Sequence, residues 1–90
     1  MGPWEGLNAL DAAVSAYNNI SMLRQQLKPA NLTHMVILNG GQRANVIPEY
    51  TKVSFYIRAP TVAEMNELRR RVMACINAAA DATGAAERNV

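Results

Sequence analysis

Arg58 closes a strand-like run, Lys52-Val53-Ser54-Phe55-Tyr56-Ile57-Arg58. Its planar guanidinium fork is well suited to holding a carboxylate, although a strand-end arginine read by itself is just as well a solvated one. Asn45 lies in the polar loop before that run, where asparagine also serves tight turns. His34 is the single histidine. No HxxxH, CxxC or His-Asp pair surrounds it, so it has no ligand set for a metal, and its alternation with Val36 and Leu38 suits a packed or interface side chain. Cys75 adjoins the apolar stripe of a helix with no histidine nearby, which suits a buried structural thiol better than a nucleophile. Arg69, Arg70 and Arg71 fan out around the same helix without interleaved aromatics, so they do not form a nucleic-acid surface. Gly40-Gly41 is no phosphate loop, because a strand rather than a helix follows it. The residues contain no catalytic set and two candidates for binding.

The elements that position these residues follow from periodicity. Asn8 caps a first helix running from about Leu7 to Leu27, with Asp11 placed to favour its positive end. Leu7, Leu10, Val14, Tyr17 and Ile20 or Ser21 form the expected apolar stripe, Leu23 and Leu27 extend it, and Ala9, Ala12, Ala13 and Ala16 flank it. Lys28-Pro29 ends the helix. Strand one, Leu32 to Leu38, is largely apolar on both faces, which suits a central strand or one pressed against a partner. Strand two, Thr51 to Arg58, puts Val53, Phe55 and Ile57 on one face and Lys52, Ser54, Tyr56 and Arg58 on the other. Thr61 caps a second helix in a capping box with Glu64, Met65 to Thr83 carry its stripe, and Gly84 ends it. The tail from Ala85 to Val90 carries no pattern. The order helix, strand, strand, helix is an incomplete α+β layer, and a two-stranded sheet is rarely enough for independent stability.

Ninety residues make at most one domain, here 1–90. Net charge is +2, far from the charge density of a nucleic-acid binder. No apolar run reaches the length of a membrane span, and the N-terminus lacks the features of a secretory signal or a myristoylation site. One cysteine suits a reducing compartment, so a soluble cytoplasmic protein is expected. The sequons at Asn19 and Asn31 are of the kind that arise by chance.

Pro3-Trp4-Glu5-Gly6-Leu7-Asn8-Ala9-Leu10, Gly40-Gly41, Asn45-Val46-Ile47-Pro48 and Tyr56-Ile57-Arg58 together resemble the dimerisation (lid) domain of the zinc-dependent aminoacylase and carboxypeptidase metallopeptidases, peptidase family M twenty. Ala16-Tyr17-Asn18-Asn19-Ile20-Ser21 with Leu23-Arg24-Gln25-Gln26 is similar to its aminobenzoyl-glutamate hydrolase and β-alanyl-lysine dipeptidase branch. The resemblance implies a ferredoxin-like βαββαβ fold whose outer strands would lie before Met1 and after Gly84, so that the chain is a partial fold and a fragment of a larger hydrolase. It implies that Arg58 pairs with a substrate carboxylate and that Asn45 hydrogen-bonds substrate. It further implies that zinc and the general base belong to a missing catalytic domain. No metal or catalytic residue is expected within this chain.

The expected function is therefore a dimerisation and substrate-gripping module of a zinc-dependent amidohydrolase or dipeptidase, not catalytic alone. The alternatives are a free-standing ferredoxin-like regulatory or binding module, which lacks stacking aromatics on strand one, and a small complete enzyme, which lacks a nucleophile and base. Neither nucleic acid nor membrane is an expected partner. Self-association is expected through Thr33, Met35, Val36 and Ile37 of strand one and Ala13 and Tyr17 of helix one. An apolar strand at a sheet edge with no proline or lysine to blunt it calls for a symmetric partner.

Overall fold

A computed structural model describes residues 6–86. Pro3, Trp4 and Glu5 of the N-terminal motif, and residues 87–90 of the tail, lie outside them. The described elements are helix α1 (Ala9–Leu23), a 3-10 turn (Arg24–Gln26), strands β1 (Leu32–Asn39) and β2 (Lys52–Arg58), and helix α2 (Val62–Thr83). This is the expected small α+β layer, with two strands among the described residues.

Local chemistry sets the helix ends. The Asn8 side-chain oxygen accepts from the amides of Leu10 and Asp11 at 2.9 and 3.1 Å, satisfying donors that the first turn leaves free. α1 ends at Leu23 rather than Leu27: the chain tightens into the 3-10 turn, and Leu27 is already extended ahead of Pro29. Thr61 accepts from the Glu64 amide at 3.1 Å, one half of the capping box. The Glu64 carboxylate turns instead toward Lys28, 3.8 Å from its Nζ. Gly84, at φ 74°, takes the left-handed conformation that ends α2.

The strands pair antiparallel, with Thr33 opposite Ile57, Met35 opposite Phe55 and Ile37 opposite Val53 on the helix-facing side. Leu32 faces Arg58, His34 faces Tyr56 and Val36 faces Ser54 on the outward side, and an irregularity between Ile37 and Asn39 leaves Leu38 out of register. The core joins Ala16, Ile20 and Leu23 of α1, Met35 of β1, and Leu68, Val72 and Ala79 of α2, with Phe55, Ile57 and Ile76 packed against it.

The expected stripe on helix one needs correction. Ile20 and Leu23 are buried as read, but Ala13 and Ala16 share the core face with them. Leu7, Val14 and Tyr17 are exposed. The small side chains of Ala13 and Ala16 leave room for close packing beside Ile20 and Leu23, while Leu7, Val14 and Tyr17 turn out. The two-sided apolar character of β1 also divides: Thr33 and Met35 are buried, whereas Leu32, Val36 and Leu38 stand exposed on the outward face.

Candidate functional site

The loop between the strands is built from its ends inward. The Asn39 side chain accepts from the Gly41 amide at 3.0 Å, and Gly41, at φ 115°, adopts a conformation that favours glycine. A Cβ there would come within 2.9 Å of the Pro48 ring, so Gly41 also allows the two limbs of the loop to close on each other. At the far limb the Pro48 carbonyl accepts from the Ala9 amide at 2.9 Å, and the Thr51 hydroxyl donates to the Ala9 carbonyl at 2.9 Å. Both backbone groups of Ala9 thus bind the loop to the start of α1. A third bond, from the Val46 amide to the Arg43 carbonyl at 3.3 Å, shapes the tip.

This frame encloses a groove of about 450 Å³ between the loop and the first turn of α1, lined by Asn8, Leu10 and residues 40–48. Asn45 lies exposed on its rim. Arg43 carries the single formal charge among the lining residues, which makes the groove a place for an anionic or polar group. Sequence reading passed over Arg43, because one arginine in a polar loop has no pattern around it. It also passed over Thr51 as an anchor, because its partner is remote in the chain.

Arg58 is exposed at the opposite end of β2, on the outward face beside Leu32. The ion pairs among the described residues join Lys28 to Glu64 and Arg70 to Glu67; neither involves Arg58. Among the described residues no carboxylate forms an ion pair with its guanidinium. Asn45 and Arg58 are not brought together. The seven residues of β2 separate the loop from Arg58 by about 20 Å, more than one dipeptide spans.

The other candidates settle into local roles. His34 is exposed opposite Tyr56, and among the described residues no three His, Cys, Asp or Glu side chains gather as a metal site. Cys75 is half-buried against the core, and burial pushes its thiol pKa up while the Arg71 charge pulls weakly the other way. Within the arginine triplet, Arg70 holds Glu67 at 2.6 Å and Arg71 hydrogen-bonds Gln26. The hydrogen bond from Arg70 keeps the Glu67 carboxyl below its ordinary range.

The six residues expected at a self-association surface divide by exposure. Thr33, Met35 and Ala13 are buried within the chain, and Tyr17, Val36 and Ile37 are exposed. Asn19 reaches α2, donating to the Cys75 carbonyl at 3.0 Å. Tyr17, two positions earlier, lies about 200° around the helix from Asn19 and so faces away from α2. Ile37 lies near the start of α1: a Cβ on Gly40 would touch both Ile37 and Leu10 at 3.6 Å.

Residues 2–84 match the peptidase dimerisation domain family. Two curated relatives, the Xaa-Arg dipeptidases of Homo sapiens and Mus musculus, are each 52% identical to this chain over 82 residues. The aligned stretch covers 91% of this chain and 19% of each relative, so the chain spans about a fifth of their length. The chain belongs to the peptidase dimerisation domain family.

Proposed function

We propose that this peptidase dimerisation domain serves as the lid and self-association module of a metal-dependent dipeptidase or amidohydrolase, with Arg58 gripping the carboxylate end of the substrate and Asn45 contacting the substrate from its loop. The observation that carries this reading is Arg58 itself, exposed at a strand end with neither of the chain's described ion pairs claiming it. A guanidinium held on a rigid strand offers a carboxylate two parallel donors at little ordering cost. The relatives' names point to dipeptides ending in arginine as the substrate class.

Self-association fits the same arrangement. Tyr17, Val36 and Ile37 provide apolar contact around the free edge of β1, and pairing of two such edges makes a closed, two-fold assembly. A two-fold partner also answers the separation of Asn45 from Arg58, since each can then serve a different copy of the site. Thr33, Met35 and Ala13 support that surface from beneath. Among the described residues His34 stands without companion ligands, and this reading assigns any zinc and the general base of such an enzyme to a catalytic domain. The single cysteine suits a reducing, cytoplasmic setting.

The test is to place this sequence in the human Xaa-Arg dipeptidase over the 82 matched residues and compare Arg58→Ala and Asn45→Ala. Loss of a charged hydrogen bond at Arg58 is expected to lower kcat/KM roughly ten- to hundredfold with folding retained. Unchanged efficiency at subsaturating dipeptide removes Arg58 from the site.

A further inference from the structure

We infer that Thr51 is a positioning residue for the Asn45 loop, acting through the first turn of α1; the inference rests on the substrate role proposed for Asn45. The loop has no regular structure of its own and Asn45 is exposed, so its direction depends on how the two limbs are fixed. One limb is fixed by the Asn39 side chain on the Gly41 amide. The other is fixed by Ala9, which donates its amide to Pro48 and accepts the Thr51 hydroxyl, each at 2.9 Å.

The Ala9 carbonyl lies within the first turn of a helix, so the Thr51 hydroxyl reaches a group that helix geometry already holds in place. That geometry makes α1 the reference frame for the loop. The same helix carries Tyr17 on the side proposed for self-association, so whatever fixes α1 against a second copy also fixes the direction of Asn45. Thr51 itself lines no part of the groove and has no contact to offer a ligand there. Its contribution is to hold the loop that carries Asn45 against the first turn of α1.

The test has two readouts. In the 90-residue chain, amide hydrogen exchange is compared for the native sequence, Thr51→Val and Thr51→Ser. Thr51→Val is expected to speed exchange at Ala9 and Val46 roughly three- to tenfold, the range of one neutral hydrogen bond, and to leave the amides of β1 and β2 unchanged. Thr51→Ser, which keeps the hydroxyl, restores native exchange. In the dipeptidase carrying this domain, Thr51→Val is expected to raise KM several-fold with kcat nearly unchanged, and Thr51→Ser to recover KM. Unaltered exchange at Ala9 and Val46 overturns the inference. So does an unaltered KM in Thr51→Val where Asn45→Ala raises KM. If Asn45→Ala itself leaves KM unchanged, the substrate reading of the loop fails, and the role of Thr51 in substrate capture falls with it.

Discussion

The Asn19 side-chain amide donates to the Cys75 carbonyl at 3.0 Å, a polar stitch between the middles of α1 and α2. It lies beside the alanine-lined contact of the helices and fixes their rotation where small side chains alone permit sliding. Asn19→Ala is expected to destabilise the chain by about 1 kcal/mol. Urea unfolding checks it; an unshifted midpoint at unchanged slope removes the stitch from the account.

Thr33 is buried to 3% exposure, and its hydroxyl oxygen has no hydrogen-bond partner among the described residues. A buried hydroxyl without a partner carries its desolvation cost uncompensated. Thr33→Val keeps the shape and removes that cost, so it is expected to stabilise the chain by up to about 1 kcal/mol. A clear loss of stability on thermal unfolding would mean that the hydroxyl is satisfied in solution.

Val72 is fully buried between the helices and the sheet. Val72→Ala removes two methyl groups from the core beside Ile20 and Leu68, and about 2 kcal/mol of destabilisation is expected from lost burial and the remaining cavity. Denaturant titration reads this directly, and a loss below a few tenths of a kcal/mol would show that the core relaxes around the gap.

Cys75 resists ionisation because burial disfavours its thiolate. Alkylation at about pH 7.5 is expected to run slower than for a free thiol and to rise only above the ordinary thiol range. The linkage has a fixed sign. The folded chain holds this proton more tightly, so its stabilising effect is present below the unfolded thiol pKa and is lost as pH rises through the folded one. Labelling at the rate of free cysteine at neutral pH would contradict the burial.

Much of this arrangement was legible in the sequence. The alternation of Val53, Phe55 and Ile57 with Ser54, Tyr56 and Arg58 reports β2 and its faces directly, since side chains in a strand have a period of two. Asn8, Thr61 and Gly84 mark helix ends through chemistry that acts within a few residues. Helix one was less legible, because alanine carries too little apolar weight to compete with Leu7, Val14 and Tyr17 in a periodicity count. Its inward face follows from the close approach of α2, a tertiary fact. The bond from Thr51 to Ala9 had no local signature at all, because its two ends are remote in the chain.

Self-association is the claim on which the remaining reading depends, and mass by light scattering across micromolar concentrations tests it most directly. The native chain is expected to reach twice its 9.8 kDa. Ile37→Lys, which places a charge beside the free edge of β1, and Val36→Pro, which removes a backbone donor from that strand, are expected to return it to a folded monomer. A native chain that stays a folded monomer throughout the range contradicts the account.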